Sequence, residues 1–116
     1  MEPQTYNFTI YQGTTWQRLL TYKTAAAVVV NLAAYHARLK IRKTWGGPVL
    51  LSLSDAAGGG IVMAAVSPNM TITITVAQTT LLNFEFAVYD LEIESPAGVV
   101  DRLLKGRVTL EKEVTA

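Results

Sequence analysis

Apolar and polar residues alternate with a period of two along most of this chain, the spacing of strands whose successive side chains point to opposite faces. Tyr6 to Tyr11 opens the pattern, with Tyr6, Phe8 and Ile10 on one side, and Gln12-Gly13 ends it. From Thr14 to Lys23, Trp16, Leu20 and Tyr22 share a side, while Arg18 and Leu19 each fall on the unexpected one. An Ala-rich connection and a short Val28-Val29-Val30 piece follow.

The cleanest strand is Tyr35 to Arg42, whose inward set is Tyr35, Ala37, Leu39 and Ile41 and whose outward set is His36, Arg38, Lys40 and Arg42. No helix keeps that alternation on one face. Trp45-Gly46-Gly47-Pro48 reads as a turn and Val49 to Leu53 as the next strand. Ser54 to Gly60, with three consecutive glycines, reads as a flexible connection. Ile61 to Val66 and Met70 to Val76 flank Ser67-Pro68-Asn69 as a hairpin, and in the second arm every other residue is Thr. A helical turn is expected only near 77–83, capped by Thr75. Phe84 to Glu94 alternates again, Ser95 to Gly98 turns the chain, and Val99 to Val114 closes it, with Gly106 marking a bulge or a close contact.

About eight short strands without a long amphipathic helix predict an all-β fold, an antiparallel immunoglobulin-like β-sandwich forming one domain over residues 1–116. A barrel is the alternative.

Composition narrows the function. Ten Lys and Arg balance nine Asp and Glu for a net charge of +1, so no global field recruits nucleic acid or an anionic membrane. Charged residues are 16% of the chain, against about 25% in typical soluble proteins, so either neighbours cover much of the surface or it is built from Thr, Ser, Ala and Gly. The absence of cysteine removes disulfides, thiolate metal sites and a Cys nucleophile. No signal peptide is expected at the N-terminus, and Ala25 to Ala34 falls short of the roughly 20 apolar residues of a membrane span.

Candidate chemistry is sparse. His36 lacks a nucleophile to serve and reads as a surface residue, and one His without Cys does not anchor a structural zinc site. Asp90, Glu92 and Glu94 lie in line on one strand face, about 6 to 7 Å apart, unlike the curled ligands of a calcium loop. They instead answer the basic row Arg38, Lys40 and Arg42, and the third and penultimate strands are neighbours in an immunoglobulin-like order. Arg38 and Lys40 are therefore expected to face Asp90 and Glu92 in a structural charge ladder. Gly58-Gly59-Gly60 lacks the Lys-Ser/Thr of a phosphate loop. No catalytic residue, metal ligand, cofactor or small-molecule substrate is expected, and the chain reads as a non-enzyme. Residues 1–12 carry an uncharged run that would be undefended as an edge strand or interface arm. Tyr6, Phe8, Thr9, Ile10 and Tyr11, with Val28 and Val30 of the apolar connection, are therefore the expected subunit interface, and a homo-oligomer is expected.

The order of three segments carries a resemblance: Tyr-Asn-Phe-Thr-Ile-Tyr-Gln-Gly with Thr-Thr-Trp-Gln-Arg, Val-Asn-Leu-Ala-Ala-Tyr-His-Ala-Arg-Leu-Lys-Ile-Arg, and the stretch from Val-Tyr-Asp-Leu-Glu-Ile-Glu to Gly-Arg-Val-Thr-Leu. Together they resemble small virion structural proteins of tailed bacteriophages and prophages, and the N-terminal sandwich of the phage baseplate upper protein family. The resemblance implies an oligomerising sandwich, located in the virion, that contacts other virion proteins in the tail, neck or fibre-attachment region. A capsid decoration protein is the alternative within that class. In another class stands a carbohydrate- or protein-binding module, for which Trp45 is the exposed aromatic candidate.

Overall fold

The period-two runs fold as strands over their centres; the expected Ile61 to Val66 arm is a strand only over Ile61–Met63, and Val76, expected in the next strand, instead begins a helix. A computed structural model describes residues 3–112; Met1 and Glu2 of the expected arm, and the Glu113-Val114 end of the expected last strand, lie outside the described residues. The strands are β1 (Gln4–Thr5), β2 (Phe8–Tyr11), β3 (Trp16–Leu20), β4 (His36–Arg42), β5 (Val49–Ser54), β6 (Ile61–Met63), β7 (Met70–Ile74), β8 (Phe86–Glu94) and β9 (Val100–Glu111). One helix, α1 (Val76–Leu81), links β7 to β8. Thr75 caps it, with its hydroxyl accepting from the Gln78 N–H and the Gln78 side chain accepting from the Thr75 N–H.

Two sheets form. The larger has the order β1-β9-β8-β4-β5 with β2 also on β9, and the smaller has the order β3-β7-β6. This division into two packed sheets is that of an immunoglobulin-like sandwich. Between the sheets, Ala37, Leu39 and Ile41 of β4 and Ala87, Tyr89, Leu91 and Ile93 of β8 face Met70, Ile72 and Ile74 of β7, all buried.

The sandwich is not wholly antiparallel. Both β1 and β2 run parallel to β9, with Gln4 opposite Leu104 and Phe8 opposite Val108. The chain can do this because it crosses the corner into β3 instead of returning as a hairpin. Between β1 and β2, Tyr6 and Asn7 bow over Gly106: the Tyr6 N–H donates to the Lys105 carbonyl at 2.8 Å, and the Asn7 Oδ1 accepts from the Arg107 N–H at 2.8 Å. A Cβ at Gly106 would fall onto the Tyr6 carbonyl oxygen, which is the close contact that this glycine serves. That carbonyl accepts the Tyr89 hydroxyl at 2.6 Å. Burial pushes the Tyr89 phenol well up, so it remains a donor throughout the physiological range.

Hydrogen bonds hold two of the connections between strands in place. Asn69 is fully buried at the β6–β7 turn; its Oδ1 accepts from the Tyr22 N–H at 2.7 Å, and its Nδ2 donates to the carbonyls of Tyr22 at 2.9 Å and Val30 at 2.7 Å. One amide thus holds both ends of the Ala-rich connection. The expected flexible connection from Ser54 to Gly60 is an ordered turn, in which the Ser54 N–H donates to the Gly59 carbonyl at 2.9 Å and Gly60 bridges Ser54. Gly60 has φ +92°, and a Cβ there would sit 2.8 Å from the Thr73 carbonyl oxygen.

Two substitutions test these anchors by equilibrium urea unfolding. Asn69→Ala strands three backbone groups and should cost at least about 2 kcal/mol. Gly106→Ala forces the N-terminal segment outward and should cost about 1–3 kcal/mol. An unchanged midpoint for either would mean that the contact does not contribute.

Candidate interaction surfaces

The few charges of this chain are not spread evenly. Each sheet has an outward face set by the same alternation that fills the core. On the larger sheet that face carries the basic row of β4 and the acidic row of β8, in a register that sets His36 opposite Glu94, Arg38 opposite Glu92, Lys40 opposite Asp90 and Arg42 opposite Val88. Arg38 reaches both Glu92 Oε1 at 3.3 Å and Glu94 Oε1 at 3.4 Å. Asp90 pairs instead with Arg102 of β9 at 3.3 Å. Lys40 therefore faces Asp90 in register without an ion pair among the described residues.

At the far end of this face, the His36 Nδ1 lies 3.0 Å from Asp55 Oδ2, and Asp55 Oδ1 accepts from the Ala37 N–H at 3.0 Å. Partial burial alone would raise the Asp55 carboxyl, but the Ala37 N–H and the His36 ring outweigh it and hold it below the usual carboxylate range. Asp55 pins the turn after β5 to the start of β4.

The outward face of the smaller sheet is uncharged. Gln17 and Leu19 of β3, Thr71 and Thr73 of β7 and Val62 of β6 form it, and Thr71 stands between Leu19 and Val62 in register. Gln17 Nε2 donates to Thr73 Oγ1 at 3.1 Å. Leu19 is 60% exposed and Val62 64%, so the centre of the face carries two exposed aliphatic side chains separated by Thr71.

The expected interface residues take up varied positions. Phe8 and Ile10 are buried, which withdraws their side chains from any partner. They build the corner between the sheets: the Phe8 ring stacks on Trp16 at 4.4 Å and meets Tyr89 edge-on at 4.8 Å. Tyr6 is half-buried and its hydroxyl accepts from Arg18 Nε at 2.7 Å, with the Arg18 guanidinium 5.4 Å above the Trp16 ring. Arg18 thus keeps the apolar parity of its strand while its charge leaves through the corner. Thr9 is half-buried opposite Thr109, and Tyr11 is exposed opposite Glu111. Val28 is exposed and Val30 packs partly against the core.

Sequence reasoning missed three features: the Asn69 clamp, the Asp55 anchor and the Leu19–Thr71–Val62 row. Only the last left a visible signal, in the off-side parity of Leu19.

No family model matches the sequence, and no curated protein matches it. Among solved structures, the chain is similar to a structure of extracellular domains 3–5 of Drosophila OTK, at 12% identity and TM-score 0.41, covering 92% of this chain and 33% of that one. It is similar also to murine CRIg, at 11% identity and TM-score 0.41, covering 96% of this chain and 93% of that one. The chain spans about a third of the OTK chain. The likeness concerns the sandwich alone, which the strand order above already defines.

The ladder is tested by a double-mutant cycle. Arg38→Glu should cost about 0.5–1 kcal/mol by repulsion from Glu92 and Glu94, and adding Glu92→Arg should recover about half of it. A double variant no better than the single would separate the two rows. The Asp55 anchor sets an acid dependence. A carboxyl depressed on folding contributes stability that is present above its unfolded value and fades as pH falls through its folded one. Asp55→Asn should therefore destabilise the protein at neutral pH and flatten the acid limb of its stability profile; an identical limb in the variant would contradict the assignment.

Proposed function

We propose that this chain is a non-enzymatic virion structural protein of a tailed phage, which joins neighbouring subunits in the tail, neck or fibre-attachment region. The observation that carries the docking role is the uncharged outer face of the smaller sheet, with Leu19 and Val62 exposed on either side of Thr71. A chain with 16% charged residues that gathers a ladder of them on the opposite face leaves this one suited to a protein neighbour. The sequence resemblance supports the virion as the assembly. The role is mechanical: the small sandwich offers its uncharged sheet face, and its partner supplies the complementary one.

The test has two parts. In purified particles, mass spectrometry should find this chain, at tens of copies or fewer for a tail position and hundreds for a capsid decoration protein; particles that lack it contradict the reading. In solution, the isolated protein should self-associate at high concentration, and Leu19→Lys with Val62→Lys should return it to a 12.6 kDa species in light scattering. A wild-type protein that already stays at that mass would argue against self-docking through this face.

A further inference from the structure

On the opposite face of the molecule, the acidic row ends one step before the basic one. Glu94, Glu92 and Asp90 answer His36, Arg38 and Lys40, but Arg42 stands opposite Val88. With Asp90 engaged by Arg102, the groove at this end of the face gathers the cations Lys40, Arg42 and Arg102 around one carboxylate, and Lys105 opposite Asp90 and Arg107 opposite Val88 continue the basic surface along β9. The turn after β4 adds an indole to it. Gly46, at φ +76°, lets the chain reverse, and Arg42 Nη1 donates to the Gly47 carbonyl at 2.6 Å, which fixes the turn and occupies only one of the guanidinium donors. Trp45, 59% exposed, then lines a groove of about 180 Å³ with Lys40, Arg42, Val88, Asp90 and Arg102.

These groups describe a ligand. A pocket for a whole buried small molecule is roughly 300–1,000 Å³, so this groove takes one ring and leaves the rest in solvent. An exposed indole offers its face to an apolar ring surface, as the flat side of a pyranose provides. The Lys40 ammonium, without an ion pair among the described residues, and the remaining donors of Arg42 call for an anion, and the fork of a guanidinium suits a carboxylate. Asp90 and Arg102 can bond ring hydroxyls. We infer that the groove binds an acidic sugar residue, a hexuronate or a similar carboxylated pyranose, stacked on Trp45 with its carboxylate held by Lys40 and Arg42. The site is independent of the docking face on the other sheet, and either can fail without the other.

The two tryptophans provide the readout, because Trp16 is buried in the corner and Trp45 is exposed. Titrate a tetrasaccharide of alternating glucuronic acid and N-acetylglucosamine into the protein at physiological ionic strength, and follow both indole N–H peaks by NMR. The Trp45 peak should shift saturably and the Trp16 peak should stay still. Neutral chitotetraose should move neither. Trp45→Ala and, separately, Lys40→Gln should each weaken binding about tenfold with the spectrum of the fold unchanged. The inference is overturned if the Trp45 peak does not respond at tens of millimolar, if the neutral sugar binds as well, if Trp45→Ala leaves affinity intact, or if a short polyglutamate peptide matches the sugar, since charge alone would then account for the site.

Discussion

The parallel pairing of the N-terminal strand on β9 is the constraint from which most of this structure follows. It requires a strand that passes Gly106 at backbone contact distance, a phenol from β8 that satisfies the Tyr6 carbonyl left facing inward, and an Asn7 amide that takes the next β9 N–H. Once these are in place, Phe8 and Ile10 must enter the core, Phe8 must meet Trp16, and β2 must cross to β3 at the corner. A sandwich of this size has little apolar area to spare, so a strand that supplies two buried side chains belongs to the fold itself. The rings of Tyr6, Phe8, Trp16 and Tyr89 meet in this corner, and the exposed Arg18 guanidinium lies over the Trp16 ring.

With the corner closed, the distribution of charge decides what the surface can do. The larger sheet keeps its ions in register, and they specify the pairing of β4 with β8 more than they stabilise it. The smaller sheet carries threonine, glutamine and two exposed aliphatic side chains. Threonine suits that position because its branched side chain favours the strand and its hydroxyl tolerates either water or a neighbour. The asymmetry divides the molecule into a face that holds itself together and a face that can be covered.

The strands and their faces were legible because they rest on alternation, which a sequence displays directly: Ala37, Leu39 and Ile41 sit where parity puts them. Gly106, a glycine inside an otherwise regular run, was legible as a bulge or a close contact, and it is the close contact that forms. The parallel direction of β2 was not, since Phe8 and Ile10 alternate identically in either direction. Nor was the ordering of Ser54 to Gly60, because three glycines look the same whether the turn is free or is held by Asp55 to the start of β4. Asn69 read as an ordinary turn residue; its three bonds go to segments 39 and 47 residues away, a distance at which no local pattern speaks.

Hydrogen–deuterium exchange, compared between the free protein and purified particles, tests the central claim most directly. The account predicts that in the free protein the β2 and β9 amides of the Phe8–Tyr11 pairing are already slow, and that assembly adds protection at the edge strands β3 and β6 around Leu19 and Val62. Fast exchange of Phe8 to Tyr11 in the free protein, with protection there and none at β3 and β6 on assembly, would contradict it: the N-terminal run would then be an interface arm and the uncharged face merely surface.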